Sequence, residues 1–457
     1  MLYEYIKDRM LATPAQTVGD EERRITYQEL LEEAEALGRR LKERPEEKYG
    51  VLCRSELNAA RSLLACLYAQ KTAVPLSYRY GKTHIRKIVD AVRLSHALTD
   101  DGIETLGQAS PETEDLTDVA LIMCTSGTTG TPKGAMITEK NLFTNLRDIE
   151  KYFRIDRRDR ILIARPLYHC AVLTGEFLIS LIKGVSISFL SGGFNPALLL
   201  RRVREQNITV LCGTPTLFYH LSALALRNRE ATALRVMAVS GECMTTLAAE
   251  RMRNAFPEAQ IYNVYGLTEA SPRVSWLPPE RFDACPLSAG KPLASLRVRI
   301  VDGELQVAGD SVMKGYYRNP SATEKTIVDG WLHTGDMAEI DEQGQLYIKC
   351  RKDSLIIRSG MNVYPQEIEN ALRQDDRIAD ALAFGVRDAS VGERIHLHVV
   401  SSLSRAEVFA VCRARLPGYQ LPDVLELVPE IPKNASGKVI RKKEAPENEN
   451  PIRRSVI

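Results

Sequence analysis

The chain lacks the features of a membrane-spanning or secreted protein. No apolar run reaches the ~18 residues that a transmembrane helix needs. The start, MLYEYIKDRM, mixes acids and bases and has no apolar h-region of a signal peptide. The chain also lacks an excess of either charge, because its 61 Lys and Arg residues nearly balance its 59 Asp and Glu residues. These absences predict a cytoplasmic protein without a membrane span or a nucleic-acid partner.

Paired cysteines are missing too. The nine cysteines are odd in number, scattered along the chain and never spaced as Cys-x-x-Cys. Disulfide frameworks and zinc sites need paired or closely spaced cysteines. We therefore expect reduced thiols that are mostly buried.

What is present is a long globular sequence in which strands and helices alternate. At 457 residues the chain is longer than a single hydrophobic core ordinarily accommodates, so two or more domains are expected. Thr26 and Glu29 form a capping box that opens an amphipathic helix. Short apolar strands and helical stretches then alternate as far as Val264, which predicts mostly parallel sheets wrapped by helices.

The pattern changes near Leu296. Two apolar stretches flank Asp302-Gly303, which predicts an antiparallel section built from hairpins. Past Arg351 the pattern is that of a small α+β unit. The predicted class is α/β, with a large domain at 1–352, a small mobile domain at 353–457 and a disordered tail at 443–457.

A loop rich in hydroxyls and glycines follows the apolar run Val119–Cys124 and precedes a helical segment that begins at Glu139. A strand, such a loop and a helix predict a phosphate site, since backbone amides, hydroxyls and a lysine converge on the anion. The alternative is a polar surface turn. The candidate ligands are Thr125, Ser126, Gly127, Thr128, Thr129, Gly130 and Lys133.

A second cluster, Asn263–Glu269, follows a predicted strand end, where open α/β sheets bind ligands. Tyr265 offers a ring to stack on a purine, Gly266 permits a tight turn or close approach, and Glu269 is a magnesium ligand type. The alternative is that Tyr265 is core and Glu269 a solvated acid.

Together, TSGTTGTPKG (125–134) and YGLTE (265–269) resemble the signatures of the adenylate-forming superfamily. That superfamily includes acyl-CoA synthetases, peptide-synthetase adenylation domains and firefly luciferase. The resemblance implies that ATP phosphates bind the loop and Thr268. It also implies that adenine lies at Asn263 and Tyr265, and that Mg²⁺ is held through Glu269.

Three further stretches match the superfamily in order. Asp336 in His-Thr-Gly-Asp would bind the ribose, and Arg351 would reach the ribose or phosphate, although Cys350 replaces a frequent glycine. Lys438, in Pro-x-x-x-Ser-Gly-Lys, would bridge the substrate carboxylate and the α-phosphate. By residue type alone, Asp336 would be a turn acid and Lys438 a solvated surface lysine.

The acid and thiol sites are suggested by the same resemblance. His169 in Pro-Leu-Tyr-His corresponds to a histidine beside the acyl tunnel, although a lone histidine is more often structural. Peptide-synthetase domains that activate α-amino acids tend to have an aspartate shortly after this motif to pair with the ammonium group. None lies between His169 and Gly184, and Glu176 is the nearest acid, so the resemblance favours a substrate without an α-amino group. The loop around Gly360 is similar to the thioester-forming loop of acyl-CoA synthetases, particularly those for fatty acids, and Asp353 falls at the hinge position.

The sequence therefore predicts an acid–thiol ligase that uses ATP, Mg²⁺ and CoA, with a fatty acid as the favoured substrate in fatty acid metabolism. The alternatives are loading of an acyl or aryl acid onto a carrier-protein phosphopantetheine, and a non-catalytic nucleotide-binding protein. Oligomeric state and the identity of the acid are not predicted.

Overall fold

The computed structural model describes residues 1–107, 115–126, 132–190, 195–228, 231–388 and 390–431, apart from the side chain of Ser126. The chain forms two compact units. The large unit comprises Met1–Thr334 and Glu339–Tyr347, and the small unit comprises Gly335–Ala338 and Ile348–Ile457. The predicted boundary at 352 lies five residues beyond the crossing at 347 and stays a prediction.

The helices and strands follow one another as the sequence predicts for an α/β chain. The helices are α1 (Leu2–Leu11), α2 (Tyr27–Lys42), α3 (Glu56–Ala69), α4 (Lys82–Ala91), α5 (Glu139–Tyr152), α6 (Cys170–Val172), α7 (Ile179–Lys183), α8 (Pro196–Glu205), α9 (Pro215–Asn228), α10 (Thr246–Ala255), α11 (Pro279–Phe282), α12 (Pro320–Thr326), α13 (Pro365–Arg373) and α14 (Arg405–Arg415). The strands up to the change of pattern are β1 (Thr17–Gly19), β2 (Arg24–Thr26), β3 (Lys48–Val51), β4 (Thr72–Pro75), β5 (His96–Thr99), β6 (Gly102–Thr105), β7 (Val119–Ser126), β8 (Pro132–Thr138), β9 (Arg160–Ile163), β10 (Ser186–Phe189), β11 (Val210–Gly213), β12 (Val236–Val239), β13 (Gln260–Gly266), β14 (Arg273–Leu277) and β15 (Lys291–Pro292). The later strands are β16 (Leu296–Val301), β17 (Glu304–Gly309), β18 (Gly315–Tyr316), β19 (Ile327–Val328), β20 (Trp331–Ile340), β21 (Leu346–Arg351), β22 (Ile356–Arg358), β23 (Met361–Val363), β24 (Ile378–Asp388), β25 (Gly392–Ser401) and β26 (Val424–Leu427).

Two sheets with parallel central strands and antiparallel edges build much of the large unit. The first has the order β15-β14-β13-β12-β11-β9-β10-β1-β2 and is parallel from β13 to β1. The second has the order β18-β8-β7-β4-β3-β5-β6. Because parallel strands need helical crossovers, both sheets are covered by helices, as predicted from the alternating pattern.

The core explains why these strands read as continuous apolar runs. Leu211, Met237 and Ile261 on neighbouring strands pack against Phe218 of α9 and are shielded completely from solvent. Burial of one such side chain stabilises the fold by about 1.5–3 kcal/mol. Helix starts are set locally, since Thr26 accepts a hydrogen bond from the amide of Glu29 in the predicted capping box.

The predicted strand–loop–helix arrangement around the hydroxyl-rich loop is wrong. The loop joins β7 to an antiparallel strand, β8, in which Thr125 pairs with Lys133 and Ser126 with Pro132. Helix α5 begins only after β8, with Thr138 as its cap. The described ends of the loop therefore lie on two paired antiparallel strands, and α5 begins after β8 and not at the loop.

The antiparallel section is confirmed. Strands β16 and β17 pair in register across Asp302 and Gly303, whose φ angles of 51° and 78° suit a hairpin turn. In the small unit, β23-β22-β25-β24 form a sheet, with β26 beside β25, and α13 and α14 contribute to its core. The α/β class predicted from the sequence is thus the observed one.

Two of the absences can be compared with the structure. All nine cysteines lie in the described ranges and none forms a disulfide, and most are buried, as expected. Within the ranges given above, no helix combines the length and the apolar character needed to cross a membrane.

Candidate active site

The hairpin β7–β8 carries the ends of the predicted phosphate loop. Thr125 donates its hydroxyl to the carbonyl oxygen of Lys133 over 3.4 Å, so the two ends of the loop are tied together. Gly127, Thr128, Thr129 and Gly130 lie outside the described residues, as does the side chain of Ser126. The structure thus places the base of this loop and leaves its tip a prediction.

Lys133 and Glu269 both lie next to one tyrosine, Tyr316. The ammonium nitrogen of Lys133 is 5.2 Å from the centre of the Tyr316 ring, and the Tyr316 hydroxyl donates to Oε1 of Glu269 over 2.8 Å. Tyr316 reaches this position because β18 pairs with β8, with Tyr316 opposite Ala135. Two motifs that are far apart in sequence, 125–134 and 263–269, therefore meet in the large unit.

Backbone contacts fix the position of Glu269. Thr268–Ala270 form a 3₁₀ turn after β13, and the carbonyl oxygen of Glu269 accepts the amide of Met313 over 2.9 Å. A carboxylate held by backbone and by one hydroxyl keeps lone pairs for a cation. Glu269 is thus suited to hold Mg²⁺ against phosphate oxygens, which needs only one or two protein carboxylates.

Asn263 is buried, and its side-chain nitrogen is already hydrogen-bonded within the protein. Its amide nitrogen donates to the carbonyl oxygens of Ser288, at 2.8 Å, and Pro286, at 3.3 Å. The side-chain oxygen is left as the acceptor, and an acceptor is what the amino group of adenine requires. Tyr265, two residues along β13, is half-buried.

Gly266 is required by the fold itself. A Cβ atom there would lie 2.0 Å from the carbonyl oxygen of Pro272, where β14 crosses the end of β13. The close approach that the sequence predicts at Gly266 is therefore made by the backbone of Pro272. A ligand is not needed to explain this glycine.

His169 opens the helical segment that follows β9. Its carbonyl oxygen accepts the amide of Leu173, and its ring lies 4.1 Å from that of Tyr168. Burial raises the pKa of the adjacent Cys170 thiol to about 12, and the negative charge of Glu269 adds to that rise. The start of this segment is thus close enough to Glu269 to respond to its charge.

A buried ion pair that the sequence does not predict lies after His169. The guanidinium of Arg165 donates to Oε1 of Glu176, whose side chain is fully buried. Burial raises the pKa of Glu176, and the positive charges of Arg165 and Arg273 oppose that shift. Glu176 is therefore already paired and is not offered to a substrate ammonium group.

In the small unit, Arg351 and Asp336 form an ion pair, with Nη1 and Oδ1 3.2 Å apart. Gly335 has φ = 70°, and a Cβ atom there would lie 2.8 Å from the guanidinium of Arg351. The glycine thus makes room for the arginine. The replacement of a glycine by Cys350 leaves this pairing intact.

Gly360 lies in the turn between β22 and β23, with φ = 79°, and no atom of the described residues lies within 4 Å of its Cβ position. The position is open, as a passage for a thiol arm requires, although a hairpin turn alone also favours glycine. Asp353 lies in the 3₁₀ turn Lys352–Ser354 that follows β21. Lys438 lies outside the described residues.

Sequence reasoning missed Tyr316 and the Arg165–Glu176 pair. Tyr316 lies on a two-residue strand, which is too short to show a periodic pattern. Arg165 precedes α6, whereas Glu176 lies inside a π-helix, Leu173–Leu178, and nothing in their spacing indicates contact. One signal was available, since a glutamate inside the apolar stretch 170–182 needs a partner when buried.

Comparison with known proteins agrees with this arrangement. The chain matches the AMP-binding enzyme family over residues 7–114 and 96–317, and the C-terminal domain of AMP-binding enzymes over residues 367–438.

Curated relatives include a feruloyl-CoA synthase of an Amycolatopsis species, 31% identical, with 91% of this chain and 92% of that protein covered. A 2-succinylbenzoate–CoA ligase of Bacillus licheniformis is 34% identical, with 73% and 71% covered. A long-chain-fatty-acid–CoA ligase of Haemophilus influenzae is 31% identical, with 82% and 70% covered.

A solved structure with the same fold is o-succinylbenzoate CoA synthetase from Bacillus subtilis in complex with its acyl-adenylate intermediate. It has a TM-score of 0.84 and 28% identity, and 98% of this chain and 99% of that chain are covered. The fold, the convergence of the two motifs and the extent of these matches agree: the chain belongs to the AMP-binding enzyme family, within the adenylate-forming superfamily.

Proposed function

We propose that the protein joins a carboxylic acid to CoA at the expense of ATP, as an AMP-forming acyl-CoA synthetase. The observation that carries this proposal is that Lys133 lies over the ring of Tyr316 while Glu269 accepts a hydrogen bond from the hydroxyl of the same residue. A fixed cation and a fixed carboxylate beside a hydroxyl-rich loop are what an Mg²⁺–triphosphate requires. The relatives named above, all CoA ligases or synthases, support the same reaction.

In the first step, a carboxylate oxygen of the acid attacks the α-phosphorus of ATP and pyrophosphate leaves. The residues 125–130 and Lys133 hold the phosphates, Thr268 contacts them, and Asn263 and Tyr265 hold the adenine. Mg²⁺ on Glu269 supplies charge neutralisation for the triphosphate. His169 lies at the acid, and Lys438 stabilises the charge that develops between the carboxylate and the α-phosphate.

In the second step, the thiol attacks the acyl carbon, and AMP leaves with one oxygen of the former carboxylate. Asp336 and Arg351 hold the ribose through their ion pair in the small unit. The open turn at Gly360 admits the pantetheine arm. We place the hinge at Asp353 and the domains at 1–352 and 353–457, with the small domain rotating between the two steps.

The acid lacks an α-amino group, because Glu176 is paired with Arg165 and no aspartate lies between His169 and Gly184. A fatty acid is the expectation that the Gly360 loop supports, and a role in fatty acid metabolism follows from it. CoA is the proposed thiol acceptor, and a carrier-protein phosphopantetheine is the alternative. Cysteines that form no disulfide fit a reducing compartment, and we propose the cytoplasm.

The test is acid-dependent exchange of pyrophosphate into ATP, measured with a panel of alkyl, aryl and dicarboxylic acids. Acids that support exchange are then assayed for thioester formation with free CoA and with carrier proteins bearing phosphopantetheine. Exchange followed by thioester formation with CoA supports the proposal. Thioester formation on carriers alone would change the acceptor, and absence of exchange with every acid would favour a non-catalytic nucleotide-binding protein.

A further inference from the structure

The ends of three neighbouring strands of the first sheet carry polar side chains at one edge. Strands β9, β11 and β12 are parallel, so their carboxyl ends lie on the same side. Arg165, Thr214 and Ser240 follow these strands. In open α/β sheets, ligands bind beyond this edge.

The guanidinium of Arg165 is held on one side only. Its Nη2 donates to Oε1 of Glu176 and to the Ser240 hydroxyl, the latter over 3.4 Å. Its Nη1 lies 3.9 Å from the Cβ position of Gly241 and donates to no group in the described part of the chain. The side chain retains 19% of its exposure, whereas that of Glu176 retains none.

The space that Nη1 faces is kept clear by Gly241, which has φ = 94°. Among the described residues, a Cβ atom there would have only the methyl group of Thr214, at 3.7 Å, and Nη1 of Arg165, at 3.9 Å, within 4 Å. The two N–H groups of Arg165 Nη1 thus border an open position at the ligand-binding edge. Glu176, through its buried carboxylate, holds the Arg165 side chain in this orientation.

The charges around Glu176 also favour an acceptor oxygen of a ligand next to Arg165. Its carboxylate is opposed by two guanidinium groups, those of Arg165 and Arg273, and Arg273 is 3% exposed. A Cβ atom at Gly175 would lie 2.5 Å from Nη2 of Arg273, so this glycine in the π-helix lets the second arginine lie beneath it. Both guanidinium groups act on this one buried carboxylate, and an acceptor oxygen on a ligand would pair the Nη1 donors of Arg165 that the carboxylate leaves unused.

We infer that Arg165 determines acid specificity, with Nη1 donating to a second oxygen function on the acid. The substrate class is a carboxylic acid that bears a further carboxylate, carbonyl or hydroxyl oxygen away from the reacting group. This inference rests on the proposed ligase function and replaces the plain fatty acid expected there with an acid that carries a further oxygen. A plain alkyl end would cover the Nη1 donors without pairing them, which costs binding free energy. Glu176 is the positioning residue behind Arg165.

The inference is tested with matched acids of equal length, octanoate with octanedioate and 3-phenylpropanoate with 3-(4-hydroxyphenyl)propanoate. In the wild-type protein, kcat/KM for exchange is expected to favour one oxygen-bearing partner by about 10-fold or more, as a hydrogen bond to a charged donor implies. Arg165→Met keeps the side-chain length and is expected to lower that ratio about 10- to 100-fold.

The variant Glu176→Gln distinguishes the effect of Glu176 on the orientation of Arg165 from its contribution to packing. It keeps the shape of the side chain and is expected to raise KM for the oxygen-bearing acid more than for its plain partner, with little change in kcat. Arg165→Lys is the second variant in case Arg165→Met does not fold, and it is expected to lower the same ratio, because one ammonium cannot contact Glu176 and the acid together.

The outcomes are distinguishable. Exchange that prefers the plain acid of each pair, or a ratio that neither Arg165 variant changes, overturns the inference while the ligase function stands. Absence of exchange with every acid, in folded protein checked by its melting temperature, overturns both.

Discussion

The Tyr316 hydroxyl donates a 2.8 Å hydrogen bond to Oε1 of Glu269, while the same ring lies 5.2 Å from the ammonium group of Lys133. One side chain thereby sets the distance between the proposed metal ligand and the proposed phosphate ligand. This relationship allows the Glu269 assignment to be tested without removing the carboxylate.

Tyr316→Phe is expected to lower kcat/KM for ATP–pyrophosphate exchange about 3- to 10-fold, the effect of one lost hydrogen bond. The Mg²⁺ concentration for half-maximal rate should rise, because Glu269 is no longer oriented. Tyr317→Phe is the matched control, since the Tyr317 hydroxyl instead accepts from Lys48 over 3.0 Å. An equal rise in the Mg²⁺ requirement of both variants would contradict the assignment.

Asp336→Asn is expected to raise KM for ATP about 10-fold, because the neutral amide binds ribose hydroxyls more weakly and no longer pairs with Arg351. The measurement is exchange rate against ATP concentration at saturating acid. Asp375→Asn breaks an ion pair of similar geometry with Arg377, 2.8 Å long, and serves as the control. A KM that stays at the wild-type value in Asp336→Asn would remove the ribose role.

Lys438→Ala is expected to lower the rate of adenylation about 10²- to 10³-fold or more, the scale of one lost oxyanion donor. Transfer from a pre-made acyl-adenylate to CoA should continue, since the lysine serves the first step only. Single-turnover assays of the two steps measure this separation. Equal loss in both steps would refute the division of labour.

Gly360→Trp is expected to preserve ATP–pyrophosphate exchange and block thioester formation, because the indole fills the open position through which the thiol arm would pass. Gly330→Trp is the control, since Gly330 has φ = 77° in a similar hairpin turn and also has no atom within 4 Å of its Cβ position. Both variants carry the same backbone strain. Loss of thioester formation in the Gly330 variant as well would assign the effect to strain.

Glu56 should make stability depend on pH. Burial raises its pKa to about 7 from 4.5, although it accepts the amide of Leu167 over 3.0 Å. Between these pH values the native state holds a proton that the unfolded state has released, so the free energy of unfolding falls as pH rises, by about 3 kcal/mol in all.

Glu56→Gln keeps an acceptor for Leu167 and should remove that decline. The measurement is urea unfolding of both proteins from pH 4 to pH 8. The wild type is expected to lose stability relative to the variant as pH rises, and parallel curves would show that Glu56 titrates normally.

Local features of the fold were predictable because their causes are local. The cap at Thr26, the hairpin turn at Asp302 and the helix from Pro365 each depend on neighbouring residues. Strand β8 was missed because Pro132 and Gly134 read as loop residues. Gly134 is in fact required by packing, since a Cβ atom there would lie 2.6 Å from Ile122 on β7.

The residues of the candidate site were likewise predictable only in part. Motif resemblance placed Glu269 and Lys133 in one site, and their link through Tyr316 shows how the fold brings them together. Tyr316 itself, and the support of Arg165 by Glu176, depend on contacts 47 and 11 residues apart in sequence, and neither spacing carries a signal. Gly266 shows the opposite case, in which a residue of a motif is explained by backbone packing alone.

The most direct test of the central claim follows one oxygen atom. An acid that supports exchange is labelled with ¹⁸O in its carboxylate and incubated with the protein, ATP, Mg²⁺ and CoA, and the nucleotide product is analysed by mass spectrometry. Activation through an acyl-adenylate predicts AMP that carries one ¹⁸O atom, together with pyrophosphate. ADP and phosphate as products, or AMP without the label, would contradict the account.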